Sequence, residues 1–114
     1  MTIEARNFTH YAGDTLTIRV TTKYADGSIV DLTGSNLEWV LAKSVSDSPD
    51  ISKSTSSGGI VVSDAEAGRF EIKLDPVDTE SLSGSYYHEA ELTKSNGDTV
   101  TILVGNITIK PSAI

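Results

Sequence analysis

A chain of 114 residues and 12.1 kDa holds one domain and is long enough to bury its own core. Its 38% hydrophobic and 22% charged residues are ordinary for a globular protein, and with only 6% aromatics the core has to be mostly aliphatic. The absence of cysteine excludes a disulfide framework and thiolate metal ligation, while a formal charge of −7 with nine scattered basic residues argues against nucleic acid and anionic membrane as partners.

The start of the chain, Met1 to Asn7, has no basic region followed by an apolar stretch. No segment approaches the roughly 20 apolar residues that span a bilayer, so neither export by a cleaved signal nor a membrane helix is expected. An extended segment is expected around Ile3 to Phe8, followed by a turn at Gly13-Asp14. Leu16, Ile18 and Val20 then alternate with Thr15, Thr17, Arg19 and Thr21, the period of a half-buried strand. His10, beside Tyr11 and just ahead of the turn, reads as a surface residue.

Ala25-Asp26-Gly27-Ser28 is a turn of the Asp-Gly type. Beyond it Leu37, Trp39 and Leu41 alternate with Glu38, Val40 and Ala42, which places the single tryptophan in mid-strand on an apolar face. From Ser44 to Gly59 the composition turns to Ser, Asp, Thr, Pro and Gly around an isolated Ile51, predicting a long exposed loop or a weak edge strand. Ile60-Val61-Val62 opens a short strand, Asp64 to Gly68 is a turn, and Phe70, Ile72 and Leu74 form the apolar side of the next strand.

The segment from Asp75 to Gly84 reads as one short helical turn, with Asp75 as the N-cap, Pro76 at the first helical position and Gly84 near the end. Next comes the strongest local signal in the chain: two alternating runs, Gly84 to Thr93 and Thr99 to Ile109, joined across Asn96-Gly97 as a long β-hairpin. In the second run Val100, Ile102 and Val104 share one face whereas Ile107 and Ile109 have the opposite parity, so an extra residue is required and Gly105 is the expected bulge. The whole predicts an all-β chain: an immunoglobulin-like β-sandwich of about seven strands over residues 1–114, with one short helical turn before the penultimate strand and a long exposed loop at about 44–59. Trp39 belongs in its central core and Tyr86 at the corner entering the next strand; a small barrel is the alternative.

Residue chemistry assembles no catalytic site. His88 shares a strand face with Tyr86, Ala90 and Leu92 and is expected to be a core imidazole with a local hydrogen bond. No His-x-His or His-x-x-x-His spacing supports zinc. Asp47/Asp50 and Asp75/Asp78/Glu80 lack the ligand spacing of a calcium loop and read as turn and cap residues. No glycine-rich loop is followed by Lys-Ser/Thr, so no nucleotide, metal or other cofactor is expected.

The segments Gly13-Asp14-Thr15-Leu16, Asp26 to Gly34, Gly58-Gly59-Ile60, Ala67-Gly68-Arg69-Phe70, Asp78-Thr79, Gly84-x-Tyr86-x-His88-Glu89 and Gly105-Asn106-Ile107-Thr108 resemble, in that order, small Ig-like structural proteins of tailed bacteriophages and prophages. The resemblance covers nearly the whole chain and includes its closing Leu-Val-Gly-x-Ile-Thr-Ile strand; it departs from the pattern at His88 and in the lengthened 44–59 loop. It implies a non-enzymatic virion component of the tail, baseplate, neck or fibre-attachment region, made in the bacterial cytoplasm. Its partners would be other virion proteins and further copies of itself. Candidate contact residues are Tyr24, Ile51 in the loop, Tyr87 on the outward parity of its strand, and the tail residues Pro111 and Ile114. The alternative is a carbohydrate- or cell-surface-binding module, since sandwiches host such sites.

Overall fold

The alternating runs are realised as nine strands and one helical turn in a computed structural model, which describes residues 2–114. In chain order these are β1 (Glu4–Ala5), β2 (Phe8–Tyr11), β3 (Leu16–Thr21), β4 (Asn36–Ala42), β5 (Ile51–Ser54), β6 (Ile60–Asp64), β7 (Arg69–Leu74), α1 (Pro76–Thr79), β8 (Gly84–Thr93) and β9 (Thr99–Lys110). A six-stranded sheet, β1-β9-β8-β4-β5 with β2 also on β9, packs against a three-stranded sheet, β3-β7-β6. All pairings between strands are antiparallel except those of β1 and β2, which run parallel to β9.

This strand order is that of an immunoglobulin-like sandwich. The count exceeds seven for two reasons: the extended N-terminal segment is broken into β1 and β2 at Arg6-Asn7, and the 44–59 segment contains a strand. Ile51 lies opposite Leu41 and is buried, so β5 extends the six-stranded sheet at its edge. The exposed part of that segment shrinks to the residues on either side of β5. An isolated apolar residue in a polar run is enough to anchor an edge strand when its neighbour strand supplies the pairing.

The two inner faces bury Ile18, Val20, Leu37, Trp39, Leu41, Phe70, Ile72, Leu74, Ala90, Leu92, Leu103 and Ile107 in one aliphatic core around Trp39, which is fully buried. At the corner before β8, Tyr86 Oη donates to the Ser83 carbonyl (3.2 Å) and accepts from the Ser83 amide (3.3 Å), tying the chain that follows α1 to the strand it enters. The β8–β9 hairpin closes as expected, with the Lys94 amide donating to the Asp98 carbonyl (2.8 Å) and the Gly97 amide to the Lys94 carbonyl (2.9 Å). The helical turn starts as expected, with Pro76 at its first position and the Asp75 amide donating to the Asp78 carboxylate (2.7 Å), but it ends at Thr79, short of Gly84.

Two expectations are corrected. The parity change in β9 occurs earlier than Gly105: Ala90 faces Leu103 but Glu91 faces Thr101, so the extra residue is Ile102, and both Ile102 and Leu103 are buried. Gly105 sits in regular register opposite His88 and serves a different purpose, described below. His10 is buried, not on the surface, because β2 pairs in parallel with β9 and sets His10 opposite the inward Ile109; its Nε2 lies 3.1 Å from the Asp14 carbonyl.

Candidate interaction surfaces

The five residues expected to make contacts do not converge. Ile51 is withdrawn from the list of anchors, since its side chain belongs to the core. Tyr24 lies at one end of the sandwich, in a turn closed by hydrogen bonds from the Tyr24 amide to the Ser28 carbonyl (2.8 Å) and from the Gly27 amide to the Tyr24 carbonyl (2.9 Å). It is 39% exposed, with Lys94 Nζ 5.6 Å from its ring centroid. In the same loop the Asp26 carboxylate accepts from the Ser28 hydroxyl (2.6 Å) and amide (2.9 Å), bonds that hold it below the usual carboxylate range.

Pro111 and Ile114 are exposed at the opposite end, where they line a shallow cleft with Pro76, Glu80 and Leu82. Val77 on α1 and Val45 after β4 are exposed at 68% and 78%, so apolar groups also occur near this end outside the tail. Tyr87 does point outward from the six-stranded sheet, half-buried among its neighbours. Its hydroxyl donates to Glu89 Oε1 (2.6 Å), and burial, that hydrogen bond and the Glu89 charge push its pKa up to about 12.

Behind this face lies a buried polar relay. Trp39 Nε1 donates to His88 Nδ1 (3.1 Å), and the indole N–H can only donate, so Nδ1 is the accepting nitrogen. His88 Nε2 therefore carries the proton and donates to the Arg6 carbonyl (2.7 Å). The ring is fully buried, with Phe8 and Trp39 edge-on at 6.0 and 6.1 Å. Burial pulls the imidazole below its ordinary value; the Arg6 carbonyl acts against that shift and the Arg6 guanidinium with it. The relay links β4, β8 and the N-terminal segment and keeps a neutral imidazole in the core.

Gly105 explains how the Arg6 carbonyl reaches that ring. The N-terminal chain crosses β9 here so closely that any Cβ on residue 105 would overlap the Arg6 carbonyl. Arg6 then makes three further bonds: its amide donates to the Val104 carbonyl (2.9 Å), Nη1 to the Arg19 carbonyl on the outer edge of β3 (2.7 Å), and Nη2 to Glu4 (2.7 Å). One residue thus joins the edges of both sheets. On the other side of the sandwich Lys53, opposite Trp39 on the inward face of β5, passes beneath Gly59 and pairs with Asp78 at 3.0 Å, the two side chains only 16% and 17% exposed. Neither Arg6 nor the Lys53–Asp78 pair stands out in the sequence, because each depends on long-range register.

Of the carboxylates read as turn and cap residues, Asp78 caps α1 and holds Lys53, and Asp47 Oδ2 accepts from the Ser44 hydroxyl (2.9 Å). Among the described residues no group of three or more His, Cys, Asp or Glu side chains could hold a metal ion. No helix among them is long and apolar enough to cross a membrane. The chain matches no family model and no curated protein sequence.

Proposed function

We propose that this protein is a structural component of a tailed-bacteriophage virion, in the tail, baseplate, neck or fibre-attachment region, and that it works by repeated protein–protein contact in a symmetric assembly. The observation that carries the reading is the ordered series of turn and strand segments, from Gly13-Asp14 to Gly105-Asn106-Ile107-Thr108, that resembles such proteins along nearly the whole chain. The sandwich suits the role physically. Its core is continuous, its N-terminal edge is stitched to both sheets through Arg6, and its two outer faces and two loop ends offer separate surfaces to different neighbours. Small contacts of this kind gain strength when they recur around a symmetric particle.

The test is immunolabelling of purified particles from the producing culture, read by electron microscopy. Label confined to the tail, neck or another defined location supports a virion component and narrows its neighbours. Particles free of label, with antigen abundant in the lysate and epitopes confirmed accessible on dissociated particles, overturn it. Saturable binding in a glycan titration of the isolated protein would then favour a carbohydrate- or cell-surface-binding module.

A further inference from the structure

The tip of the β8–β9 hairpin holds the one Asn-Gly pair in the chain, Asn96-Gly97, and both residues are exposed. The Gly97 amide donates to the Lys94 carbonyl (2.9 Å), the Lys94 amide donates to the Asp98 carbonyl (2.8 Å), and Gly97 is left-handed at φ +95°, which together make a three-residue loop closed by a bulge. An asparagine side chain is an electrophile placed one residue before a main-chain nitrogen. When that nitrogen loses its proton it can attack Cγ: the N–Cγ bond forms, the Cγ–Nδ2 bond breaks, the departing nitrogen takes up the proton and leaves as ammonia, and a cyclic succinimide remains. Water then opens the ring at either carbonyl, giving aspartate or isoaspartate. At Gly97 no side chain shields the attacking nitrogen, and the space beside its Cα is open, with nothing within 4 Å of a Cβ built there. The other asparagines precede Phe8, Leu37 and Ile107, whose bulk hinders ring closure. Asn36 and Asn106 are moreover fixed in β4 and β9, and Asn7 Oδ1 accepts from the Asn106 amide (2.8 Å).

The folded turn holds this chemistry back. The Gly97 N–H that must be lost is the one given to the Lys94 carbonyl. Asn96 Oδ1 accepts from the Asp98 amide (2.9 Å) and Nδ2 donates to Asp98 Oδ2 (3.2 Å), which ties the carboxamide to Asp98 and keeps it from swinging onto the Gly97 nitrogen. The Asp98 carboxylate also sets a negative charge beside the nitrogen that has to become an anion. We propose that Asn96 is the deamidation site of this chain and that its closed turn restrains it, so that conversion runs through the opened tip of the hairpin. Aspartate at this position adds a negative charge to a tip that already carries Asp98. Isoaspartate does more: it lengthens the main chain by one carbon inside a loop whose length sets the pairing register, so the Lys94–Asp98 bond beside Thr93 and Thr99 has to break or shift. Lys94, whose ammonium lies 5.6 Å from the Tyr24 ring centroid, moves with it, and conversion thereby alters the end of the sandwich that presents Tyr24. Nothing in this chemistry requires a virion role.

Peptide mapping by mass spectrometry of the full chain, aged in mildly alkaline buffer with and without denaturing urea, tests this. The mass gain of amide-to-acid conversion is expected at Asn96 in urea, and at least about tenfold more slowly in the folded chain, because a hairpin tip is open only part of the time. Asn7, Asn36 and Asn106 should stay intact over the same period. Asp98→Ala removes the carboxylate and the acceptor of Nδ2 but keeps both main-chain bonds, so it should speed conversion in the folded chain severalfold relative to its own rate in urea, with circular dichroism checking that it folds. Asn96→Gln, whose longer side chain closes the ring far more slowly, should abolish the gain at this position. Conversion of the wild type as fast in the folded chain as in urea overturns the restraint, and a folded-state rate unchanged by Asp98→Ala overturns the part assigned to Asp98. Conversion led by Asn7, Asn36 or Asn106, or absent at Asn96 even in urea, overturns the site.

Discussion

The two long sides of the sandwich are closed by different means. On the N-terminal side β1 and β2 are held to β9, and through Arg6 to β3, by main-chain carbonyls that accept from an amide, an imidazole and a guanidinium, across a crossing tight enough to require glycine at position 105. On the opposite side β5 and β6 follow one another through a short turn, and the inner space is spanned by the Lys53–Asp78 ion pair. The first closure is geometric and tolerates almost no change in shape. The second is electrostatic and held by a flexible stem, so it can adapt. The lesson is that a chain with few aromatics can seal a sandwich at its edge with polar groups, provided that each is satisfied where it is buried.

The largest effect should come from Gly105→Ala. The added Cβ meets main chain rather than a side chain that could swing aside, so β1–β2 must lift from β9 and surrender the Arg6 bonds. A loss of about 3 kcal/mol is expected from such overpacking, read from the urea midpoint. Proteolysis should cut first near Arg6. A loss of only a few tenths would show that the crossing is looser than the close approach of the two chains requires.

Acidification should weaken the same side next. An unfolded His88 takes up a proton near its ordinary value of 6.5, whereas burial holds the folded imidazole neutral to lower pH. The unfolded state therefore binds the extra proton first, and stability falls as the pH drops below about 6.5, until the folded ring also titrates. Protonation at Nδ1 would also set two donors against each other, since Trp39 Nε1–H already points at that nitrogen. Comparing chemical denaturation at about pH 7.5 and 5.5 for the wild type and His88→Phe isolates the effect: the variant should start less stable, with the Arg6 carbonyl left unpaired, and show a flatter dependence. Parallel curves would remove His88 as the cause.

On the other side Lys53→Met should cost somewhat less, about 2 kcal/mol, because it leaves the largely buried Asp78 carboxylate without its cation. The methionine stem keeps the packing under Gly59, and Asp78 retains its bond from the Asp75 amide. Because the pair is largely buried, high salt should leave most of this difference in place. A loss matching that of Gly105→Ala would abolish the contrast between the two sides.

What was legible in the sequence was what neighbours along the chain decide. The β8–β9 hairpin, Trp39 in mid-strand, the cap and proline of α1 and the corner at Tyr86 each follow from spacing within about ten residues. The polar closures were not, since the Arg6 carbonyl and His88 are 82 residues apart and Lys53 meets Asp78 only after both sheets are in place. His10 and Ile51 were misread for the same reason: a turn beside one and polar residues around the other masked the partner strands that bury them. The parity change in β9 was visible, but which residue absorbs it depends on the pairing with β8, and Gly105 was conspicuous for the crossing rather than for the bulge.

The smallest effect sharpens the account of the N-terminal side by dividing main chain from side chain. Arg6 contributes its amide and carbonyl whatever its side chain, and only the bonds to the Arg19 carbonyl and Glu4 belong to the guanidinium. With about a third of that side chain in solvent, the pair with Glu4 is screened and adds little. Arg6→Lys keeps the charge but not the fork that serves two acceptors at once, so a loss of about 0.5 kcal/mol is expected, with the acid sensitivity through His88 retained. If Arg6→Lys instead destabilises as much as Gly105→Ala, the guanidinium and not the buried carbonyl holds the N-terminal segment. The closure would then be electrostatic on both sides of the sandwich.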